Sequence, residues 1–331
     1  MSRFAEPSSC DGIPVTVRDG VRLGCPVTVR VPASSANLGP GFDTLGLALG
    51  LYDELDVEAA DEGLTILVQG EGEFTVPRTE DHLVVRWLRA GLTQVGAGQP
   101  GLRLTCRNVI PHGRGLGSSA AAIVGGLVAA RALLADPTAL DDDVVFALAV
   151  AAEGHPDNVS ASLFGGLTIS WTEPAGGARE PLVPHTVRPP VHPDVVVVAC
   201  VPEQELATSR ARAMLPASVP HADAAFTAGR AALLVEAITR SPRLLFAATE
   251  ERLHQAQRAP AMPDSAELIS RLRADHLAAV VSGAGPSVLV FGDSPHLAEQ
   301  VAERAGTGWR VLSPGIAAGG ASWSAANVLA G

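Results

Sequence analysis

The sequence predicts an α+β fold divided between two domains, and three observations carry the prediction. At 331 residues the chain exceeds the ~100–200 residues of an ordinary single domain. Short strand-period segments are interleaved with helical ones without a strict β-α-β alternation. Six prolines crowd residues 174–194, which marks either a linker between domains or a long inter-strand loop. With 47% hydrophobic and 18% charged residues, the chain has the apolar material for a large core and is not of disordered composition.

Residues 1–24 mix Pro, Ser, Gly and Asp without period and predict a loose N-terminal extension, ending at most in a short strand. Alternation at Val27, Val29 and Val31 predicts a strand that Pro32 ends. Residues 33–44, ASSANLGPGFDT, read as a loop because they are small, polar and punctuated by Gly and Pro. Further strands are expected at 45–51 continuing through 54–59, then at 64–68, 102–106 and 165–171. Helical spacing covers 81–95, and a helix capped by Ser118 or Ser119 runs to about residue 134. Another spans 141–153, its opening Asp residues suiting a helix N-terminus. In the second half a Val run at 194–201 predicts a buried strand. Helices follow at 222–238, 242–253, 266–275 and 295–304, with short strands at 278–281, 287–291 and 309–312. The expected domains are 25–175 and 190–320.

The chain carries 24 basic and 35 acidic residues, a net charge of −11. With no basic run, it is a poor partner for nucleic acid or an anionic membrane. Every basic residue is Arg, so lysine chemistry is excluded, including the lysine-bearing phosphate loop. Cys10, Cys25, Cys106 and Cys200 stand far apart without zinc spacing, and the expectation is four reduced thiols in a cytoplasmic protein. The opening MSRFAEPSSCDG lacks the apolar run of a secretory leader. The longest membrane-like stretch, 120–130, stops at Arg131, well short of the ~20 residues a spanning helix needs.

The strongest local signal is PHGRGLGSSA: Pro111, His112, Gly113, Arg114, Gly115, Leu116, Gly117, Ser118, Ser119 and Ala120. Three glycines permit close backbone approach and positive φ. Two serines then open an apolar helix, whose N-terminus offers unpaired N–H groups and partial positive charge. Together these suit a phosphate, although a flexible Gly/Ser turn has the same composition. A dinucleotide fingerprint fails on spacing, and no strand follows with an acid about 20 residues on. Glu153 and the following His155, Pro156, Asp157 and Asn158 form a second polar concentration. Carboxylates near a phosphate loop suit Mg²⁺, and a helix end with an Asx turn is the plainer reading. Asn37 and Asp43 sit on the 33–44 loop, where turn chemistry alone would account for them. SGAGPS at 282–287 is a further small-residue loop. Arg212, shortly after Thr208, and Arg258 are candidates for gripping a carboxylate, or are ordinary surface charges.

Taken together, these segments resemble the GHMP kinase superfamily over residues 27–315. The specific motif is P-x-x-x-G-L-G-S-S-A at 111–120. VPASSANLGPGFDTLGLAL at 31–49, EGHPDNVSASLFGGL at 153–167 and VSGAGPSVLVF at 281–291 resemble its homoserine kinase branch. The resemblance implies an N-terminal ribosomal-protein-S5-like domain with a left-handed β-α-β crossover, a C-terminal ferredoxin-like domain, and an active site between them. It implies ATP-dependent phosphorylation of the L-homoserine hydroxyl on the path to threonine, with ATP and Mg²⁺. The loop 111–120 would hold the triphosphate, and Ser119 and Glu153 would hold Mg²⁺. Asn37, Asp43, Asp157 and Asn158 would hold the amino group and hydroxyl. Arg212 and Arg258 would clamp the carboxylate, with Thr208 beside the transferred phosphoryl. Another GHMP small-molecule kinase and a catalytically silent sensor remain alternatives, and a homodimer is left open. One departure is that relatives often carry an aromatic residue before the second arginine, where this chain has Ala256 and Gln257. The expectation is a looser pocket wall there.

Overall fold

The computed structural model describes residues 15–175 and 182–325. Most of the expected loose extension lies outside these residues. Its described remainder is ordered, as the hairpin β1 (Thr16–Arg18) and β2 (Val21–Leu23). The turn residues Asp19 and Gly20 both have positive φ, as tight hairpins of the Asp-Gly kind require.

A large sheet follows. β3 (Val27–Asn37) and β4 (Gly41–Ala60) pair antiparallel along nearly their whole length. The expected loop 33–44 is therefore mostly strand. Pro32 has no N–H to donate, and the register shifts between Pro32 and Ala33 absorb it as an irregularity. Pairing resumes until Asn37 meets Gly41, so that residues 38–40 alone turn the chain. β5 (Leu64–Gly70), α1 (Leu83–Gln94) and β6 (Gly101–Asn108) form a β-α-β unit whose strands pair in parallel.

Behind this sheet lies α2 (Ser118–Leu133), buried along nearly its whole length. It is built from Ala, Gly, Val and Leu, the composition of a helix enclosed on all sides. At Gly126 a Cβ would strike the α1 backbone at Val84 and Leu88, so glycine there sets how closely the two helices approach. α3 (Asp142–Glu153) is capped by the Asp141 carboxylate on the Val144 N–H at 2.9 Å. α4 (Asp157–Phe164) leads to β7 (Leu167–Pro174) and β8 (Leu182–Val187), which pair antiparallel. Within the proline-rich stretch, β8 is a strand of the larger sheet, and residues 188–195 run from it to the first strand of the second half.

The second half contains β9 (Val196–Pro202), α5 (Thr208–Ala213), α6 (His221–Thr239), α7 (Leu245–Ala248), α8 (Gln255–Arg258), α9 (Pro263–Ala274), β10 (Ala278–Val281), β11 (Val288–Gly292), α10 (Leu297–Ala305) and β12 (Trp309–Leu312). Its sheet runs β10-β11-β9-β12, all antiparallel. In chain order that is second, third, first, fourth, the ferredoxin-like arrangement. One face packs Val198, Cys200, Val288 and Val290 against Leu268 and Leu272 of α9 and Val301 of α10.

The helix expected over 242–253 is broken. A 3₁₀ turn and α7 occupy its first part. The Glu251 carboxylate then accepts the N–H groups of Leu253, His254 and Gln255 at 2.5–2.9 Å, in place of helical carbonyls. β13 (Ser322–Ala325) was not anticipated. It returns to pair with β3. Cys106 and Cys200 are free and buried, with thiols pushed up to about 12 by burial. Cys25 is disulfide-bonded, against the expectation of four reduced thiols, and Cys10 lies outside the described residues. No helix among the described residues is long and apolar enough to cross a membrane.

Candidate active site

The 111–120 loop is built by its glycines. Gly113, Gly115 and Gly117 have φ of 63°, 74° and 72°, a region costly for residues bearing a Cβ. Gly117 is the N-cap of α2, so neither Ser118 nor Ser119 caps it; both are helical. A Cβ at Gly117 would collide with the Ser34 Oγ, and one at Gly115 with the Ser282 carbonyl. The SGAGPS loop thus backs the glycine loop directly, and the Ser282 hydroxyl donates to the Gly115 carbonyl at 2.7 Å.

A cavity of about 160 Å³ opens against this loop, comparable with an engineered cavity of ~150 Å³ that admits benzene. It is lined by Asn37, Asp43, Gly113, Gly115, Gly117, Ser118, Ser119, Glu153, Asp157, Asn158, Thr208, Arg212 and Arg258. Residues separated by more than 200 positions therefore converge. The other members of the sequence motif do not line it. Pro111, Leu116 and Ala120 are buried beneath it. Arg114 turns away and donates to the carbonyls of Pro202, Glu203 and His112 at 3.0, 2.8 and 2.9 Å, tying the loop to the end of β9. His112 rests near Gly72, where a Cβ would approach its ring to 2.6 Å.

On the cavity lining the Ser119 hydroxyl donates to the Glu153 carboxylate at 2.7 Å. Also on its lining, Asp43 receives Arg212 through both terminal nitrogens, at 2.7 and 3.1 Å. Asn37 and Asp43 both hold left-handed backbone, φ 68° and 54°. Asn and Asp tolerate that region best, and such strain concentrates at functional sites. The Asn37 amide accepts the Asp43 N–H at 2.9 Å and donates to the Gly283 carbonyl at 2.8 Å. Asp157 is buried and accepts the Asn158 N–H at 2.8 Å, with His155 Nδ1 also 2.7 Å away. Burial pulls the His155 pKa down, but the hydrogen bond and charge of Asp157, with Glu153, leave it raised. The Asn158 side-chain carbonyl accepts the Ser34 hydroxyl at 3.0 Å. Arg258 is 1% exposed, and its Nε has no hydrogen-bond partner in the structure.

The chain matches the family model for the GHMP kinase N-terminal domain over residues 82–166 and the GHMP kinase C-terminal model over 224–310. A homoserine kinase of Streptomyces avermitilis is 54% identical over 297 residues, covering 89% of this chain and 95% of that protein. One from Rhodococcus erythropolis is 51% identical over 300 residues, covering 90% and 96%. The chain belongs to the homoserine kinase family of GHMP kinases. A homoserine kinase crystal structure from Cytophaga hutchinsonii shares the fold, with a TM-score of 0.78 at 23% identity, covering 93% of this chain and 98% of that one.

In this GHMP kinase the residues overlooked by sequence are those that hold the predicted ones. Ser34 sits in a strand read as loop, and His155, named in the second polar concentration, gains a role only from its contact with Asp157. Phe42 places its ring 5.4 Å from the Arg258 guanidinium and 5.8 Å from that of Arg212. Ala256 and Gln257 are exposed, so an aromatic residue there would not wall the cavity, and the expected loosening does not arise. A second groove of about 480 Å³, open to solvent, includes Gly70, Gly72, Phe74, Asn108, Val109 and Arg310. Phe74 is 92% exposed within it.

Proposed function

We propose that this chain transfers the γ-phosphoryl group of ATP to the side-chain hydroxyl of L-homoserine. One observation carries the reading. One small cavity is lined both by a phosphate-type glycine loop and by a carboxylate with two guanidinium groups. The loop 111–120 and the α2 N-terminus offer fixed N–H groups to the triphosphate. Arg212 and Arg258 receive the α-carboxylate, and Asp43 with Asn37 receives the ammonium group. Asp157 and Asn158 orient the hydroxyl beside Thr208 and the transferred phosphoryl. The second groove, with its exposed Phe74, receives the adenine ring. Transfer of this kind needs positioning and charge neutralisation more than a strong base, so none is assigned.

Ser119 and Glu153 would hold Mg²⁺. A hydroxyl 2.7 Å from a carboxylate is an oxygen donor set of the type Mg²⁺ accepts alongside phosphate and water. No group of three or more His, Cys, Asp or Glu able to hold a metal occurs among the described residues, and the ion would take nucleotide phosphates and water as its remaining ligands. When bound, it would neutralise charge on the phosphates. The reading places the chain in the cytoplasm, with small-molecule substrates.

Coupled ADP release with Mg²⁺-ATP tests this, using L-homoserine beside D-homoserine, L-serine, mevalonate and galactose. Turnover with L-homoserine alone is expected. Turnover with a different alcohol would keep the phosphate loop and overturn the assignment of Asn37, Asp43, Arg212 and Arg258. No turnover at all would favour a silent sensor.

A further inference from the structure

Arg258 is enclosed by groups that the proposed reaction does not use. Behind it lies His254, whose side chain is fully buried. The His254 Nε2 stands 2.8 Å from the Gly39 carbonyl, and Nδ1 stands 3.4 Å from Arg258 Nη1. A carbonyl only accepts, so Nε2 carries the proton. A guanidinium only donates, so Nδ1 presents its lone pair. The ring is therefore neutral and in one tautomer, and burial, the main influence on it, holds its pKa below the usual imidazole range. A second proton at Nδ1 would set donor against donor and cation against cation.

The ring is itself fixed. Glu251, with a side chain 1% exposed, gathers the backbone N–H groups of residues 253–255. The Gln255 amide accepts the Val281 N–H at 2.6 Å. Gly39 belongs to the turn between Asn37 and Asp43, so the imidazole bridges that turn to Arg258. Arg258 Nη1 also donates to the Gly283 carbonyl at 3.2 Å, and Nε is left buried without a partner. The guanidinium is held from behind through Nη1 and has unspent donors.

We propose that His254 is a positioning residue for substrate recognition: as its Nε2–H tautomer it locks Arg258 against the β3–β4 turn, so that the free guanidinium edge meets the substrate carboxylate. This rests on the reading of Arg258 as a carboxylate clamp. It makes substrate affinity depend on an acceptor at the Nδ1 position, whereas a merely structural role would depend on filling the space.

Two substitutions separate these. H254N places an amide oxygen near Nδ1 and loses the bond to Gly39. H254Q keeps a donor near Nε2 and loses the acceptor for Arg258. KM for homoserine, KM for ATP, kcat and Tm are measured for both, for R258A and for H254Q/R258A. The homoserine KM is expected to rise roughly tenfold or more in H254Q and only about threefold in H254N, as loss of a hydrogen bond to a charged group implies. The ATP KM should stay fixed, and H254Q should add nothing to R258A. Equal homoserine KM values in H254N and H254Q, or changes that simply follow Tm, overturn the positioning role while R258A still shows the clamp. An unchanged homoserine KM in R258A sinks the clamp reading itself, and this inference with it.

Discussion

Asp43 and Arg212 already satisfy one another in the structure, through two hydrogen bonds of 2.7 and 3.1 Å. On the proposed assignment of these two residues, a zwitterionic amino acid would enter by exchange: its carboxylate would replace Asp43 on Arg212, and its ammonium would replace Arg212 on Asp43. Charge balance is kept throughout. A substrate lacking the amino group opens the same pair and leaves Asp43 uncompensated. Asp43→Asn therefore has opposite effects on the two kinds of substrate. Both side chains are about one-third exposed, at 35% and 37%, so the internal pair is worth about 1 kcal/mol after screening. A hydrogen bond from the substrate ammonium to a charged group is worth about 1.5–3 kcal/mol. For homoserine, losing the latter and gaining the former gives a net loss of about 0.5–2 kcal/mol, a roughly 2- to 30-fold fall in kcat/KM. For 4-hydroxybutanoate, which has no amino group, release of Arg212 raises kcat/KM about fivefold. ADP release with each substrate, for wild type and Asp43→Asn, reads both numbers. A parallel fall for the two substrates would show that the pair is not an obstacle to entry, and the exchange argument would be wrong.

Glu153→Gln should lower kcat roughly 10- to 100-fold and raise the Mg²⁺ concentration needed for half-maximal rate; an unchanged Mg²⁺ titration would remove Glu153 from the metal. Arg114→Ala frees the glycine loop from the carbonyls of Pro202 and Glu203, so the ATP KM should rise about tenfold with the homoserine KM unchanged. Asp53 accepts the Val109 and Ile110 N–H groups just before the loop, and burial raises its carboxyl to about 6. Because the folded state binds this proton more tightly than the unfolded state, the associated stability is complete below about pH 4 and lost as pH rises through 6. Urea unfolding should therefore find Asp53→Asn more stable than wild type at pH 7.5, by at most about 3 kcal/mol. Asp53→Ala, which strands two N–H groups, should instead lose about 1–3 kcal/mol.

Much of the fold was legible because burial writes itself as period. The strand at Trp309–Leu312 and the helix behind the glycine loop have the expected extents within a residue or two. Failures occurred where polar or breaker residues sit inside regular structure. Pro32 reads as a stop, yet the strand passes it by shifting register. Glu251 carries no signal of collecting three N–H groups. β13 is four residues of Ser, Trp and Ala, too short for a period. In the site, glycine spacing marked out the tight loop at 111–120, and the family resemblance collected the polar residues that line the same cavity. Their mutual bonds were not legible. Asp43 and Arg212 lie 169 residues apart, and their pairing follows from the turn of one sheet meeting a short helix beside another. His254 looks like any histidine until the carbonyl on one side of its ring and the guanidinium on the other are seen.

The return of β13 to β3 has a mechanical consequence. The smaller sheet is entered from β8 and left through β13, so two covalent strands tie it to the larger one. A body on one tether can swivel freely. A body on two, with Val197, Ala199, Leu289 and Phe291 in the same core as the larger sheet, is held in one placement, as a bridge is held at both piers. The cavity lies across that span, with Asn37 and Asp43 on one side and Arg212 and Arg258 on the other. Alignment of the two charged rows is inherited from the path of the chain.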